Sequence, residues 1–286
     1  MKKSLLYLLV LLLFSSASTH VLAEDGYRLW LRYEQVQDAQ TLHTYRQAIQ
    51  ELVIQGNSPT LTIAQEELQN GLSGLLGQRV QAIQKPTRQN ILLAGTPAGS
   101  ALIAKLNLTE KLKAAGEEGY LLLTASLGGS KYTVIAANTD IGVLYGSFHL
   151  LRLMQTQQNI SNLSAMSTPK LQHRVLNHWD NLDRTVERGY AGFSLWDWHR
   201  LPGFIDQRYL DYARANASIG INGTVLTNVN ANALILTPTY LKKVAALADA
   251  FRPYGIKVYL TARFSAPIEI GGLKTADPLD PQVKAW

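Results

Sequence analysis

Three side chains suited to holding a polar ligand follow a short apolar run in the second half of the chain. Trp179, Asp180 and Asn181 come directly after Val175-Leu-Asn-His178. An apolar run that ends in polar residues is typical of a buried strand whose carboxyl end opens into a cavity. An aromatic face stacks on the apolar side of a pyranose, and amide and carboxylate groups pair with its hydroxyls. The residue types therefore predict a sugar-binding site at this strand end.

Two later stretches repeat the pattern of an apolar run that ends in polar residues. They are Gly223–Asn230 and Ile256–Arg263, and each follows a stretch with helical spacing. The carboxyl ends of parallel strands meet at one edge of a sheet, where α/β proteins build their active sites. The polar residues that these two strands bring to that edge are Asn228, Asn230 and Arg263.

The order of elements predicts the start of a (β/α)8 TIM barrel. Helices are expected at Asp206–Ser218 and Thr237–Tyr254, with a third beginning at Asp280-Pro281, so the chain holds the first three β/α units. A doubly wound sheet is the runner-up, disfavoured because Asp180-Asn-Leu-Asp-Arg184 stands where a Gly-rich phosphate loop would follow the first strand. Three strands cannot close a barrel. We therefore expect this chain to be the N-terminal portion of a longer enzyme.

Several catalytic chemistries are excluded by what the sequence lacks. It contains no cysteine, no Gly-x-Ser-x-Gly and no His-Glu-x-x-His,. His173 and His178 have no further ligand at metal-binding spacing, so neither a metal nor a cofactor is predicted. Asp180 and Asp183 are the only acids well placed at a strand end, and Asp183 is better explained as a turn or helix cap. Glycoside hydrolysis needs two carboxylic groups, and no convincing pair is present, so no catalytic residue is predicted within this chain.

The first 23 residues have the pattern of a secretory signal peptide. Lys2 and Lys3 precede the apolar run Leu5–Phe14, and small residues lead to Val21-Leu-Ala23,. An uncleaved anchor is the alternative, but the apolar run is shorter than the ~20 residues of a spanning helix. We expect cleavage after Ala23, no stable membrane insertion afterwards, and export to the periplasm or cell surface of a bacterium.

Composition and charge argue for an ordinary globular protein. The 286 residues suffice for two domains, and 47% are hydrophobic,. Loss of Lys2 and Lys3 with the leader lowers the formal net charge from +6 to +4. Because no Lys/Arg cluster stands out, nucleic acid is not expected as a partner.

Residues 24–168 are predicted to form an α+β domain, since strands and helices do not alternate regularly. A polar linker is expected at Thr156–Gln172, with the barrel portion occupying residues 169–286. The predicted elements of the first domain are strands at Tyr27–Tyr33, Thr60–Ile63, Ile91–Ala94, Tyr120–Ala125 and Tyr132–Ala136, and helices at Leu42–Gln55, at Ala64–Leu76 before Gly77, and at Asn138–Met154,.

Two groups of residues have structural explanations that compete with functional ones. Gly142 and Gly146 lie four apart on the last predicted helix of the first domain, giving a flat face for close packing on a sheet. His149, among apolar neighbours, is better explained as a hydrogen-bonded core residue than as a ligand. Trp196 and Trp198 lie in a long loop, where a place in the loop core is at least as good an explanation as a functional one.

Five phrases in the second half resemble glycoside hydrolase family 67, the xylan α-glucuronidases. The similarity covers Arg174–Trp286 strongly and the first domain more loosely, and that domain also resembles the accessory domain of exo-acting glycosidases such as hexosaminidases. The phrases are Val175-Leu-Asn-His-Trp-Asp-Asn-Leu-Asp183, Arg188-Gly-Tyr-Ala-Gly192, Ser194-Leu-Trp-Asp-Trp198, Tyr212-Ala-Arg-Ala-Asn-Ala-Ser-Ile-Gly-Ile-Asn-Gly223 and Asn228-Val-Asn-Ala231.

The resemblance implies removal of α-1,2-linked (4-O-methyl)glucuronic acid from xylo-oligosaccharides, with inversion and without metal. It implies that Trp179 forms part of a hydrophobic wall for the uronic acid and that Val229 makes room for the 4-O-methyl group. Thr227 stands where many family members have Asn. The family's acid and base carboxylates belong to strands beyond Trp286, so the chain alone is expected to be inactive. A homodimer is one candidate assembly of the full-length enzyme.

Two alternatives remain open at this point. One is a different exo-glycosidase with the same domain order, such as a β-hexosaminidase, which activity on aryl hexosaminides would favour. The other is a non-catalytic periplasmic sugar-binding protein, which tight oligosaccharide binding by a short gene product would favour.

Overall fold

The computed structural model describes residues 24–286, so the predicted signal peptide lies outside the described residues. The residues up to Leu31 form one unit and Arg32–Trp286 another. The predicted strand at Tyr27–Tyr33 is wrong. The backbone there makes turns, in which Leu29 N–H donates to the Gly26 carbonyl (3.1 Å) and Leu31 N–H to that of Arg28 (2.9 Å). Leu29 has φ 51°, a left-handed conformation that a strand cannot contain.

A six-stranded mixed sheet organises the first part of the larger unit. The four strands on one side run parallel, and the fifth is antiparallel to both its neighbours, in the order β2-β1-β3-β5-β4-β6. The predicted strands at residues 91–94, 120–125 and 132–136 are confirmed within it. The strands are β1 (Glu51–Ile54), β2 (Ala82–Ile83), β3 (Asn90–Gly95), β4 (Tyr120–Leu127), β5 (Ser130–Ala137) and β6 (Ser164–Ser167).

In residues 24–168, five helices accompany this sheet. They are α1 (Ala39–Ala48), α2 (Pro59–Leu76), α3 (Ala101–Ala104), α4 (Thr109–Ala115) and α5 (Asp140–Gln155). The two short ones, α3 and α4, were not predicted.

The predicted helix at Leu42–Gln55 ends at Ala48, and β1 follows it. All four residues of β1 are buried, and such a short apolar run has no periodicity to separate strand from helix. The predicted strand at Thr60–Ile63 is the first turn of α2. Ser58 caps that helix by accepting from Leu61 N–H, and Pro59 occupies its first position,.

Helix α5 packs closely on the sheet through its two glycines, as predicted. A Cβ at Gly142 would lie 2.6 Å from the Gly119 carbonyl oxygen, and one at Gly146 would lie 2.6 Å from Ile135 Cγ2. Thr139 caps the helix through the Gly142 N–H. His149 is half-buried, and its Nδ1 lies 2.9 Å from the Tyr120 hydroxyl, which confirms the structural explanation of this histidine.

The predicted linker at Thr156–Gln172 contains strand β6, which pairs antiparallel with β4 at the edge of the sheet. Three of its four side chains are exposed. An edge strand that faces solvent needs no apolar side chains, so its composition resembles that of a loop. The division between residues 168 and 169 stays a prediction.

A second, three-stranded sheet holds the β/α repeat that the sequence predicts. Strands β7 (Val175–Asn177), β8 (Gly223–Val225) and β9 (Lys257–Tyr259) are parallel and adjacent in chain order, with Leu176 level with Thr224 and Thr224 level with Val258. Helices α6 (Gln207–Ser218) and α7 (Pro238–Phe251) connect them, and α8 (Ala266–Glu269) and α9 (Pro281–Ala285) follow. The eight-stranded barrel stays a prediction.

The cap of α7 differs in detail from the expected one. Thr237 precedes Pro238 but makes no side-chain cap bond. Its hydroxyl instead donates to the Leu234 carbonyl (2.7 Å), at the end of a 3-10 helix spanning Ala233–Leu236. After α7 a 3-10 turn runs to Tyr254, and Gly255 ends it with φ 74°,.

Trp196 and Trp198 are fully buried at the centre of the second hydrophobic core. The Trp196 ring lies 5.6 Å from that of Tyr209 and 5.7 Å from that of Phe251, centroid to centroid. The loop-core explanation of both tryptophans is therefore confirmed.

In residues 24–286, none of the helices combines the length and the apolar character that crossing a bilayer requires.

Candidate functional site

Trp179 and Val229 expose their side chains at the carboxyl edge of the second sheet. Trp179 follows β7 by two residues and Val229 follows β8 by four, and each is 47% exposed. The backbones remain joined beyond the strands, since Asn228 N–H donates to the Asp180 carbonyl (2.9 Å). An indole and a valine therefore project from two neighbouring, mutually bonded chain segments. We call these two exposed side chains the apolar wall, and an indole is of a kind that covers one face of a pyranose.

Asp180 lies beneath this surface and is buried. One carboxylate oxygen accepts a bond from the Ser194 hydroxyl (2.5 Å), and the other lies 3.7 Å from His178 Nδ1. Ser194 Oγ also accepts from Trp196 N–H (3.0 Å). The carboxylate thus ties the end of β7 to the loop that carries the buried tryptophans.

A chain of polar contacts continues inward from Asp180. His178 Nε2 lies 2.8 Å from the Tyr212 hydroxyl, which is hydrogen-bonded to Thr224 Oγ1 (2.9 Å). Burial raises the pKa of Tyr212 to about 12, so its hydroxyl stays protonated at neutral pH. A buried and satisfied polar network of this kind holds its members in one arrangement. The network fixes the residues on both sides of Trp179.

Asn181 and Asp183 shape the loop after β7. Asn181 Nδ2 donates to Thr185 Oγ1 (3.0 Å) and to the Glu187 carbonyl (2.8 Å). Asp183 Oδ1 accepts from the backbone N–H (2.9 Å) and the hydroxyl (2.7 Å) of Thr185, and these bonds lower the pKa of Asp183. Asp183 therefore has the turn role that the sequence favoured. Arg184 adopts φ 74° in the same turn.

Glu187 lies in the loop after β7, and no sequence motif singles it out. Its N–H donates to the Trp179 carbonyl (2.8 Å), which folds the loop back onto β7. Oxygen Oε2 is buried and has no hydrogen-bond partner among the described residues. The other oxygen lies 3.9 Å from Arg188 Nε. Glu187 thus holds the loop against β7 through its backbone, and its Oε2 is closed off from solvent.

The loop after β8 contributes Asn228 and Asn230. Asn228 is buried, and its Oδ1 accepts from Asn230 N–H (2.9 Å). The Asn230 side chain is exposed, and the backbone carbonyl of Asn230 accepts from Arg263 Nη2 (3.3 Å). Arg263 Nη1 lies 3.5 Å from Glu269 Oε1. The guanidinium thus stands at the same edge as Val229, partly neutralised by one carboxylate.

Thr227 points between strands rather than outward. It is fully buried, its hydroxyl donates to the Thr261 carbonyl (3.0 Å), and Thr261 Oγ1 donates to the Thr227 carbonyl (2.7 Å). These two hydrogen bonds between Thr227 and Thr261 continue the pairing of β8 and β9 beyond the ends of the two strands. Any effect of this threonine on ligand binding must pass through the backbone that carries Asn228 and Val229.

The seven predicted site residues fall into two groups in the structure. Trp179, Val229, Asn230 and Arg263 present side chains at or near the surface, whereas Asp180, Asn181 and Asn228 use theirs to hold the loops. In the part of the chain that the structure describes, no group of three or more His, Cys, Asp or Glu side chains is arranged to hold a metal ion.

Comparison with known sequences gives consistent matches over most of the described region. The model of the glycosyl hydrolase family 67 N-terminus matches residues 29–150, and that of the family 67 middle domain matches residues 153–286. Alpha-glucuronidase A of Emericella nidulans is 36% identical over 284 residues, which is 96% of this chain and 33% of the fungal protein. Alpha-glucuronidase A of Aspergillus tubingensis is 35% identical, covering 100% of this chain and 33% of its own length.

The chain therefore spans about a third of the length of these curated relatives. Among solved structures, a family GH115 4-O-methyl-alpha-glucuronidase with specificity for decorated arabinogalactans aligns with a TM-score of 0.49. Its identity is 14%, and the alignment covers 81% of this chain and 32% of that one.

Proposed function

This chain belongs to glycoside hydrolase family 67, and from that membership we propose that the whole protein is an α-glucuronidase. Its substrates are xylo-oligosaccharides that carry α-1,2-linked (4-O-methyl)glucuronic acid, and the uronic acid is released in xylan breakdown. Two relatives that are 36% and 35% identical to this chain carry the name alpha-glucuronidase A.

The observation that supports this substrate is the apolar wall formed by Trp179 and Val229. A pyranose has one face of C–H groups, which an indole covers well, and the valine leaves room that a larger side chain would fill. Asn230 and Arg263 at the same edge offer an amide and a cation for hydroxyl and carboxylate groups,. The wall would hold the glucuronic acid unit.

The proposed hydrolysis is inverting and uses two carboxylic groups, one as acid and one as base. Within the site, Asp180 is engaged by Ser194, and Asp183 by Thr185. Neither is free to protonate a leaving group or to activate water. The proposal therefore places the acid and the base outside these 286 residues, and gives the present residues the task of binding and orientation.

The test is replacement of Trp179 by Ala in the whole protein. Loss of the stacking surface is expected to lower kcat/KM for release of 4-O-methylglucuronic acid from substituted xylo-oligosaccharides by about 10- to 100-fold, since a desolvated aromatic contact contributes ~1–3 kcal/mol. Met166→Ala removes a similarly exposed apolar side chain from β6 on the other sheet and is expected to leave kcat/KM unchanged.

Two outcomes of this assay would refute the proposal. One is hydrolysis of aryl hexosaminides, with none of glucuronic acid-substituted xylo-oligosaccharides. The other is equal activity of the Trp179→Ala variant and the unaltered protein.

We also propose that the protein is exported, which rests only on the leader-like sequence of residues 1–23,. Fractionation of the native source organism, followed by N-terminal sequencing of the mature protein, tests this. Export predicts a mature protein that begins at Glu24 in the periplasmic or surface fraction.

A further inference from the structure

A cavity of about 240 Å³ lies at the opposite end of the second sheet from the candidate site. It is bounded by Arg174, which precedes β7, and by Gly220, which precedes β8, so it faces the amino ends of these strands. Its other wall comes from α5, β4 and β6 of the first sheet. The polar and charged residues that line it are Glu118, Tyr120, Tyr145, His149, Arg152, Ser167, Arg174 and Ser218.

One side chain in this wall carries a hydroxyl whose proton has no acceptor among the described residues. Tyr145 is only 6% exposed, and the Arg174 guanidinium, which can only donate, is the neighbour that lowers the pKa of its hydroxyl. Burial and the nearby Glu118 carboxylate raise the pKa of Tyr145 to about 12, so the hydroxyl keeps its proton. Buried hydroxyl donors without an acceptor are costly and uncommon. This hydroxyl is therefore a donor available to a bound molecule.

The cavity wall carries one uncompensated positive charge. Glu118 is neutralised by Arg174, whose Nη2 contacts Oε2, and it also accepts from Asn222 Nδ2 (3.1 Å). The Arg174 guanidinium also donates to two backbone carbonyls, from Nε to that of Gly220 and from Nη1 to that of Leu171 (2.6 Å). Its donors are therefore engaged within the protein. Arg152, on the exposed side of α5, forms no ion pair with a carboxylate of residues 24–286. Burial and the charge of Arg152 lower the pKa of His149. The site thus favours an anion.

The size of the cavity and its aromatic lining restrict further which molecules can bind there. The volume is many times the ~10–15 Å³ that one water needs, and below the ~300–1,000 Å³ of drug-sized sites. Tyr120 and Tyr145 both contribute ring surface to the wall. A monosaccharide is of this size and offers a C–H face to a ring.

We propose that this cavity is a second binding site, which takes a monosaccharide-sized carboxylate such as a free uronic acid. Arg152 pairs with the carboxylate, and the Tyr145 hydroxyl donates to the ring or hydroxyl oxygens. The site lies away from Trp179, and occupying it requires no bond cleavage, so the inference stands apart from the proposed hydrolysis.

The experiment is calorimetric titration of the chain with sodium glucuronate. Arg152→Gln is expected to weaken this binding by at least tenfold, and Tyr145→Phe by about fivefold, because each removes one interaction with the ligand. Arg188→Gln removes the same charge from an exposed arginine in the loop after β7, and Trp179→Ala removes the wall of the other site. Binding at the cavity is expected to be unchanged in both. Thermal melting of each variant confirms that it is folded.

The second part of the experiment compares glucuronate with other ligands in the same calorimetric titration. Xylose, which has the ring but no carboxylate, is expected to bind at least tenfold more weakly than glucuronate. Inorganic phosphate binding as tightly as glucuronate would overturn the assignment to a sugar acid. Equal glucuronate affinities of the Arg152→Gln and Arg188→Gln variants would overturn the site itself.

Discussion

Some side chains in the candidate site are exposed to a ligand, and others hold those exposed side chains in place. Trp179 is half exposed, while its neighbours His178 and Asp180 are drawn into a network that reaches Thr224 through Tyr212. An aromatic side chain binds a ligand well only when its orientation is fixed beforehand. The buried acid at the strand end therefore acts on the exposed indole through the backbone.

Glu51 shows how one carboxylate can make stability depend on pH. Burial raises its pKa, but this is outweighed by bonds from the Thr87 hydroxyl, from Thr87 N–H (2.9 Å) and from Arg88 N–H (3.0 Å), so the pKa lies below its ordinary value of 4.5. The folded state therefore keeps the ionised form to lower pH than the unfolded chain does. The resulting stabilisation is present above pH 4.5 and is lost as the pH falls through the lowered value.

Glu51→Gln is expected to lower the free energy of unfolding at pH 7 by about 1–3 kcal/mol, the range for hydrogen bonds to a charged group. The deficit relative to the unaltered chain should shrink as the pH falls through the lowered pKa of Glu51, where the unaltered glutamate becomes protonated too,. Urea unfolding at several pH values measures both. Glu66→Gln, an exposed position on α2, is the control, and a pH-independent deficit for Glu51→Gln would contradict the account.

Among the elements, α5 depends most on close approach to the sheet. Gly142→Ala would gain up to ~1 kcal/mol of helix propensity, but its Cβ would meet the Gly119 carbonyl oxygen at 2.6 Å and Ala137 Cβ at 2.7 Å. Backbone atoms cannot turn aside as a flexible side chain can. We expect net destabilisation of about 1–3 kcal/mol, measured as a lower urea midpoint.

Gly203→Ala is the matched control for this prediction. A Cβ there meets only the Arg200 carbonyl oxygen at 3.7 Å, an ordinary contact, and a stability change within ~0.5 kcal/mol is expected. If the two alanine variants unfolded at the same urea concentration, close packing of α5 would not matter to stability.

Within Arg32–Trp286, two helices that are far apart in the chain are joined by a pair of charges. Arg214 on α6 donates through Nε (2.7 Å) and Nη2 (2.8 Å) to Glu67 on α2, across 147 positions. Glu67 is buried, and Tyr33 also donates to it. A bidentate pair on a buried carboxylate fixes the relative position of two helices that belong to different sheets.

Arg214→Met is expected to destabilise the chain by about 3 kcal/mol, because it leaves the Glu67 carboxylate buried without its cation. The double variant Glu67→Leu/Arg214→Met should recover part of that loss, since no charge then remains buried. Arg208→Met, an exposed arginine on the same helix, is the control. Destabilisation by the double variant equal to the sum of the single effects would argue against a coupled pair.

The chain of residues 24–286, tested alone, is expected to be catalytically inactive. The acids at the end of β7, Asp180 and Asp183, are occupied in structural hydrogen bonds, and the unbonded oxygen of Glu187 is buried away from solvent. Hydrolysis of a glycoside needs two carboxylic groups. Incubation with 4-O-methylglucuronic acid-substituted xylo-oligosaccharides, followed by chromatography of the products, tests this. Detectable release of 4-O-methylglucuronic acid would refute it.

Local features were predictable because their causes lie within a few residues. The buried strands 91–94 and 132–136, the end of α2 at Gly77, and the start of α9 at Asp280-Pro281 all follow from apolar runs and capping residues. The three β/α units that carry the site residues were predictable for the same reason, and so was the family, from phrases spread over Arg174–Trp286.

Other features depended on contacts that only the folded chain makes. Strand β6 exists because β4 offers it an edge, Glu187 bonds to the Trp179 backbone because a loop turns back to β7, and Glu67 meets Arg214 across 147 positions. None of these has a local signal, since a hydrogen bond between distant residues depends on where the whole backbone has placed them. The same holds for the cavity beside Tyr145, whose walls come from both sheets and whose unsatisfied hydroxyl exists only after packing.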